Sequence, residues 1–318
     1  MAQRVVVIGA GIAGLATAVA LQRREYDVSI IEQRADTSTG AAISIWPNAL
    51  AALDNLGLGD AVRASGGRIT AGALRWCDGS WLRHLETERL VAALGEPLVV
   101  VQRCTLRDLL TGAVREGTAE YGLAADGLVA TPDGMQIRLS DATVRHADAV
   151  IGADGIGSMV ARHLNGPLTH RYAGYTAWRG IAAHAMDPEL AGGTLGPGVE
   201  TGHVPVGPDR TYWYATERAH EGRLSPGGEL PYLRARLART HPQRIGRDDP
   251  GRRVAQRPLR PPSLVRESAL IGRVINLRPA FLGAAATRAT RLMPEALFTR
   301  HLASVAARAA FVLPTGGT

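Results

Sequence analysis

An α/β fold of two domains is predicted by three observations. The chain has 318 residues, it opens with two β-branched runs flanking an Ala/Leu-rich helical stretch, and a second group of strand-like runs follows residue 170. A composition of 46% apolar and 20% charged residues supplies a sizeable core and excludes disorder as the main state. Cys77 and Cys104 are the only cysteines and form no CxxC pair, which leaves neither a disulfide scaffold nor a thiolate metal cluster and points to a reducing cytoplasm. All 36 basic residues are arginine. Mechanisms that need a Schiff-base or P-loop lysine are therefore excluded.

The first element, Arg4 to Ile8, has the continuous β-branched character of a buried parallel strand. Gly9-Ala10-Gly11-Ile12-Ala13-Gly14 follows and leads into a helix to about Arg24. In such a turn the first glycine permits the tight bend, the second lets backbone approach a pyrophosphate, and the third lets helix lie close on strand. The helix N-terminus adds N–H donors and a positive dipole. The next strand, Val28 to Ile31, ends at Glu32, where a carboxylate can accept hydrogen bonds from the hydroxyls of an adenosine ribose. These parts predict a Rossmann-like site for an ADP-containing dinucleotide. The apolar stretch from Val5 to Leu21 also meets part of the description of a secretory signal, with Arg4 as its charged start, but the glycine spacing and the following strand favour strand, turn and helix. No other segment approaches the roughly 18 apolar residues of a membrane span.

Beyond Glu32 the chain resembles the FAD-dependent aromatic-ring monooxygenases, the single-component flavoprotein hydroxylases related to p-hydroxybenzoate, salicylate and urate hydroxylases. The resemblance is continuous over about residues 4–240. It is carried by the glycine turn with Glu32, by Gly40-Ala41-Ala42-Ile43-Ser44-Ile45-Trp46-Pro47-Asn48-Ala49-Leu50, and by Gln102-Arg103 with Leu106 and Leu109-Leu110. Asp148 to Ile151 with Gly152-Ala153-Asp154-Gly155, and Tyr172-Ala173-Gly174-Tyr175-Thr176-Ala177-Trp178-Arg179-Gly180, complete it. Alone, Asp154 reads as a helix cap in a βα turn; the resemblance makes it a contact to the pyrophosphate region of FAD. Arg103, at the start of a predicted helix, reads either as a surface ion-pairing arginine or, by resemblance, as a cofactor contact whose fork suits phosphate. Ser44 and the backbone near Ala42 would lie along the ribityl and flavin side, and Arg34, Leu123 and Gly155 complete the implied set of cofactor positions.

One family fingerprint is missing. Members carry a late strand followed by Gly-Asp and a helix whose N-terminus faces the flavin pyrimidine, yet the only Gly-Asp pair here is Gly59-Asp60 in an early helical stretch, and Ala269-Leu270-Ile271-Gly272 runs into Arg273. Residues 243–262 shift to Arg, Pro and Gly and read as a loop. Ser263 to Leu313 then looks like the family's last helices, with Leu277, Phe281, Leu292, Leu297 and Leu302 as apolar markers. An internal deletion is the simplest account, and it predicts better retention of the ADP half than of the flavin half of the cofactor.

On the substrate side, residues 173–183 and 199–216 read as strands. Period-2 alternation puts Tyr212 and Tyr214 on one face and Trp213 on the other. By resemblance Tyr212 is the first candidate for a substrate contact, with Trp178 and Trp213 beside it; the alternative for all three is ordinary sheet packing. No catalytic side chain is assigned. The nine histidines offer no HExxH or other ligand pairing, so no metal is expected, and no GxSxG elbow supports a hydrolase. Residues 233–318 hold 16 arginines against 4 acids. Without aromatic interleaving this basicity reads as solvated helix faces and pairing with acids, not as a nucleic-acid or membrane surface.

The resemblance implies a Rossmann-like FAD-binding domain built from 1–70, 98–172 and 263–318, and a smaller mixed-sheet substrate domain from 71–97 and 173–262. It further implies a monomeric or homodimeric enzyme that uses NADPH or NADH and O₂ to hydroxylate an aromatic or polyketide-like small molecule through a flavin C4a-hydroperoxide. The second reading is a degenerate relative that keeps the dinucleotide-binding fold and acts by binding a ligand or partner.

Overall fold

In the computed structural model, residues 2–35, 41–70, 72–85, 87–187, 190–225, 227–240, 285 and 287–307 are described. They form two compact units, one drawn from 1–40, 53–62 and 103–171, the other from 41–52, 63–102 and 172 onward.

The first unit is built on a parallel sheet. Strand β1 (Arg4–Ile8) lies between β2 (Asp27–Glu32) and β12 (Ala149–Gly152), and β8 (Ala119–Tyr121) adds to the far side of β2. The β-branched run of β1 is buried from Val5 onward, as a strand covered on both faces requires. Helix α1 (Ile12–Gln22) returns the chain from β1 to β2 and packs on α5 (Arg103–Ala113), with Leu15, Ala18, Leu106 and Leu110 buried. Alternation sends Val6 and Ile8 to the other face. There they meet Leu128, Ile137 and Leu139 of an antiparallel meander, β9 (Ala125–Thr131), β10 (Gly134–Leu139) and β11 (Val144–Ala147), and Val160 of α6 (Met159–Asn165).

The second unit has two sheets. The larger runs β13 (Tyr175–Ala182), β16 (Thr211–Arg218), β15 (Val199–Pro205), β14 (Gly192–Gly196), β5 (Gly72–Trp76) and β6 (Trp81–Leu85). The stretch 199–216, read from sequence as strand, is thus a hairpin; Gly207-Pro208-Asp209 supplies the turn that a single strand would have had to absorb. Helix α7 (Glu229–Thr240) covers one face, where Leu233 and Leu237 pack with Trp178, Val199 and Ala215. The smaller sheet pairs β3 (Ala42–Ile45) and β4 (Gly67–Ile69) with the two edges of β7 (Leu98–Gln102). Helices α2 (Pro47–Asn55) and α3 (Gly59–Ser65) lie along the chain between β3 and β4. Helix α8 (Glu295–Ala307) packs on α4 (Thr87–Leu94), and Leu302 and Phe298 join Leu94 and Leu98. Leu292 and Leu297, expected as apolar markers, are exposed instead, while Leu277, Phe281 and the segment 243–262 lie outside the described residues. Two tail charges form ion pairs in this unit, Arg288 with the acid Asp78 at 2.7 Å and the acid Glu295 with Arg89 at 3.0 Å. No described helix is long and apolar enough to cross a membrane.

Candidate cofactor site

The glycine turn sits at the C-terminal edge of the parallel sheet, where open α/β sheets bind ligands. Its three glycines have different reasons to be there. Gly9 has φ +106°, and a Cβ on it would stand 2.5 Å from the Ala153 carbonyl oxygen. A Cβ on Gly14 would stand 1.9 Å from the Gly9 carbonyl oxygen. Both positions are therefore closed by the chain itself. Gly11 is not: it has φ −76° and ψ 178°, open to any residue, and a Cβ there would meet nothing within 4 Å. Nothing in the described chain calls for glycine at 11, whereas an incoming pyrophosphate would. Gly11 is also the N-cap of α1 without a side-chain cap, and the first turn of α1 holds no acid, which leaves the positive end of the helix open to an anion. The residues present fit the ADP half of a dinucleotide.

Glu32 ends β2 and is buried at 8% exposure. Its Oε2 accepts the Ala10 N–H at 2.8 Å and its Oε1 accepts the Arg34 N–H at 2.9 Å. A carboxylate has about four acceptor sites, so the oxygens that tie the turn to the strand end retain lone pairs for ribose hydroxyls. Leu123 donates its N–H to the Glu32 carbonyl at 3.0 Å and packs in the apolar cluster below. The Arg34 side chain is exposed.

The second turn abuts the first, because Ala153 donates its N–H to the Ile8 carbonyl at 2.8 Å. Asp154 caps α6: Oδ1 accepts the Ser158 hydroxyl and Oδ2 the Met159 N–H, both at 2.6 Å. Ser158 in turn accepts the Ala161 N–H at 2.8 Å. The helix-cap reading of Asp154 is therefore realised. Gly155 has φ +76° and open space at its Cβ position.

Arg103 is the first residue of α5 and is exposed. One turn later stands a residue that sequence reasoning passed over. The Arg107 guanidinium buries Nε and Nη1 with no hydrogen-bond partner among the described residues, and its Nη2 reaches only Asp108 at 3.5 Å. A lone arginine among so many offers no sequence signal; its burial is what singles it out.

Ser44 and Ala42 belong to the second unit. Both lie on β3, opposite Val100 and Gln102 of β7, with Ser44 exposed. Ala41 and Ala42 pack in one cluster with Val100, Val206, Ile181, Tyr212 and Tyr214. Tyr212 and Tyr214 share a face as alternation predicts, with ring centroids 6.4 Å apart. Tyr214 donates its hydroxyl to Glu200 Oε1 at 2.9 Å. Burial, then the Glu200 charge, pushes the Tyr214 phenol well above its usual range. Burial also raises Tyr212, opposed by the charge and hydrogen bond of Arg179, and raises Glu200, opposed by the Tyr214 hydrogen bond. Trp178 and Trp213 lie on the other face under α7, Trp178 donating its indole N–H to Glu229 at 2.7 Å. The structure thus groups Tyr212 with Tyr214, which alternation had placed on the same face, and with Arg179 and Glu200, which the sequence reading did not name as contacts, and separates it from both tryptophans. The described residues contain no cluster of three or more His, Cys, Asp or Glu side chains able to hold a metal.

The FAD binding domain family matches residues 2–246. The chain belongs to the FAD-dependent aromatic-ring hydroxylase family. Among the curated members of this family, aurachin C monooxygenase/isomerase of Stigmatella aurantiaca is 35% identical over 221 residues, 69% of this chain and 58% of that protein. The 3-amino-4-hydroxybenzoate 2-monooxygenase of Streptomyces cremeus is 32% identical over 246 residues, 75% and 62% of the two chains. Among solved structures, Klebsiella pneumoniae HpxO complexed with FAD and uric acid superposes with a TM-score of 0.67 at 27% identity, over 75% of this chain and 61% of that one. The chain therefore spans about 60% of the length of these relatives, and the family match stops within the Arg/Pro/Gly-rich stretch.

Proposed function

We propose that the chain binds FAD and, with NADH or NADPH as reductant, monooxygenates a small electron-rich aromatic or polyketide-like substrate. The observation that carries this reading is the open position at Gly11, a glycine the fold does not need, beside a buried carboxylate with acceptor capacity to spare. In this reading Gly9, Ala10, Gly11, Ile12, Ala13 and Gly14 bring backbone to the pyrophosphate, and Glu32 accepts from the adenosine ribose. Arg103 supplies positive charge, Asp154 with Gly155 shapes the second turn, and Arg34, Ser44 and Leu123 border the cofactor. Bound FAD would supply the electron transfer and the activation of O₂ that no side chain here can perform. The chain's own task is to hold cofactor and substrate in place and keep water out.

The named substrates and ligands of the relatives, an aminohydroxybenzoate and uric acid, are oxygen- and nitrogen-bearing rings, and Tyr212 is the residue we assign to meet such a ring. The segments 1–70, 98–172 and 263–318 as cofactor domain, and 71–97 with 173–262 as substrate domain, belong to the same proposal. The test is an absorbance scan of purified protein titrated with FAD, before and after NADPH. A bound flavin spectrum that bleaches on reduction supports the reading, and protein that neither binds nor shifts the flavin spectrum overturns it.

A further inference from the structure

The face of the larger sheet opposite α7 carries a polar strip with a direction to it. Register sets Tyr214 opposite Gly202 on β15 and Arg179 on β13, and sets Tyr212 opposite Val204. The Tyr214 ring lies flat on the sheet, because a Cβ at Gly202 would stand 2.3 Å from its ring and one at Gly193 would stand 3.6 Å from its hydroxyl. Lying down, the ring carries its hydroxyl to Glu200. That commits the Tyr214 proton, so this end of the strip, the carboxylate and the phenol oxygen, offers acceptors. At the other end Tyr212 takes a hydrogen bond from Arg179, and its own O–H remains a donor.

Glu200 is half-buried, and a carboxylate drawn partly out of water costs free energy unless its lone pairs are met. Among the described residues Glu200 has one hydrogen-bond donor, Tyr214, and a carboxylate has room for about four. Resting on the hydroxylase reading above, we propose that Glu200 and the Arg179–Tyr212 pair determine substrate choice, selecting an aromatic ring with an N–H donor at one end and an oxygen acceptor at the other. The two tyrosines of the strip pack with Ala41, Ala42 and Val100, whereas Glu200 keeps part of its surface open, and α7 closes the opposite face of the sheet, so Glu200 is the accessible end of the strip. Rings that conjugate a nitrogen donor to an oxygen are also electron-rich, as electrophilic oxygen transfer requires.

The probes are 4-quinolone and chromone, which share shape and carbonyl and differ in an N–H replaced by oxygen. Calorimetric titration of FAD-loaded wild-type protein is expected to show about tenfold tighter binding of 4-quinolone, the value of one hydrogen bond to a charged group at about 1.4 kcal/mol. In Glu200→Gln that ratio falls to within about twofold, whereas Tyr212→Phe weakens both ligands and keeps the ratio. Equal affinities in the wild type, or an unchanged ratio in Glu200→Gln, would overturn the proposal. Flavin absorbance of the same samples tests the cofactor reading separately. Wild-type protein that takes up no added FAD defeats that reading, while equal affinities with flavin bound defeat this one. Because the wild-type comparison needs no variant, a Glu200→Gln protein that fails to fold leaves the test intact.

Discussion

Replacing Gly11 by valine separates what the fold needs from what the cofactor needs. The backbone at 11, with φ −76° and ψ 178°, is open to valine, and the new Cβ meets no atom within 4 Å. The stability cost is therefore confined to a poorer N-cap, about 0.5–1 kcal/mol, or a few degrees in the melting temperature of the apoprotein. Binding is another matter. Three added carbons would occupy the approach of the pyrophosphate to the N-terminus of α1. Losing two hydrogen bonds to a charged group, at roughly 1.5–3 kcal/mol each, lowers FAD affinity by at least about a hundredfold. Gly14→Ala is the control with the opposite signature. Its Cβ would lie 1.9 Å from the Gly9 carbonyl oxygen, so the helix must move off the strand and the apoprotein itself is destabilised by about 1–3 kcal/mol or more. Thermal melts of apoprotein and flavin-fluorescence titrations report the two quantities independently. A Gly11→Val protein that binds FAD as tightly as wild type, or melts as early as Gly14→Ala, refutes the assignment of the turn.

Asp154→Ala removes three acceptor contacts at the start of α6, two of them to the Met159 and Val160 N–H groups, and is expected to lower stability by about 1 kcal/mol; a melt unchanged from wild type would show that the cap carries nothing. Because the late Gly-Asp pair is absent, FAD should be stripped by gel filtration where a tight flavoprotein keeps it, and stoichiometric flavin after that step would contradict the expectation. Burial holds the Glu200 carboxyl above its ordinary value, so the folded chain binds a proton that the unfolded chain has released. Its contribution to stability is full below the ordinary glutamate range and is lost as pH rises through the raised folded value. Denaturant midpoints should therefore fall across that window in wild type and fall less in Glu200→Gln; parallel curves for the two proteins would count against it.

Nearest-neighbour signals explain which parts of this molecule the sequence displays. The β1–α1–β2 unit is readable because a buried parallel strand, a glycine turn and an apolar helix each leave a mark within a few residues, and Glu32 falls at a fixed distance from them. Strand β14 is not readable: Gly192-Gly193-Thr194-Leu195-Gly196 has little intrinsic strand preference and is a strand because β15 and β5 pair with it. The Arg179, Glu200 and Tyr214 grouping was hidden for a related reason. It depends on register between strand residues 12 to 35 positions apart, and on glycines beside Tyr214 that let a ring lie flat, neither of which alternation within one strand reveals. Alternation did separate Tyr212 from Trp213. What it lacked was the position of α7, which turns the tryptophan face into core.

The two carboxylates read as cofactor contacts, Glu32 and Asp154, are also structural members. Glu32 fastens the glycine turn to β2, and Asp154 caps α6. Neither residue can be replaced without disturbing the scaffold, so loss of FAD binding on mutation at 32 or 154 would not by itself distinguish contact from collapse. Their double use has a physical logic. A carboxylate held by backbone N–H groups is fixed in direction before any ligand arrives, and the entropy of orienting it is met by folding instead of binding. Gly11 is where the two demands come apart, because the described fold leaves that position open and asks nothing of it. Whether this turn receives a pyrophosphate is therefore decided most cleanly at Gly11, the one of its three glycines that the protein could have filled and did not.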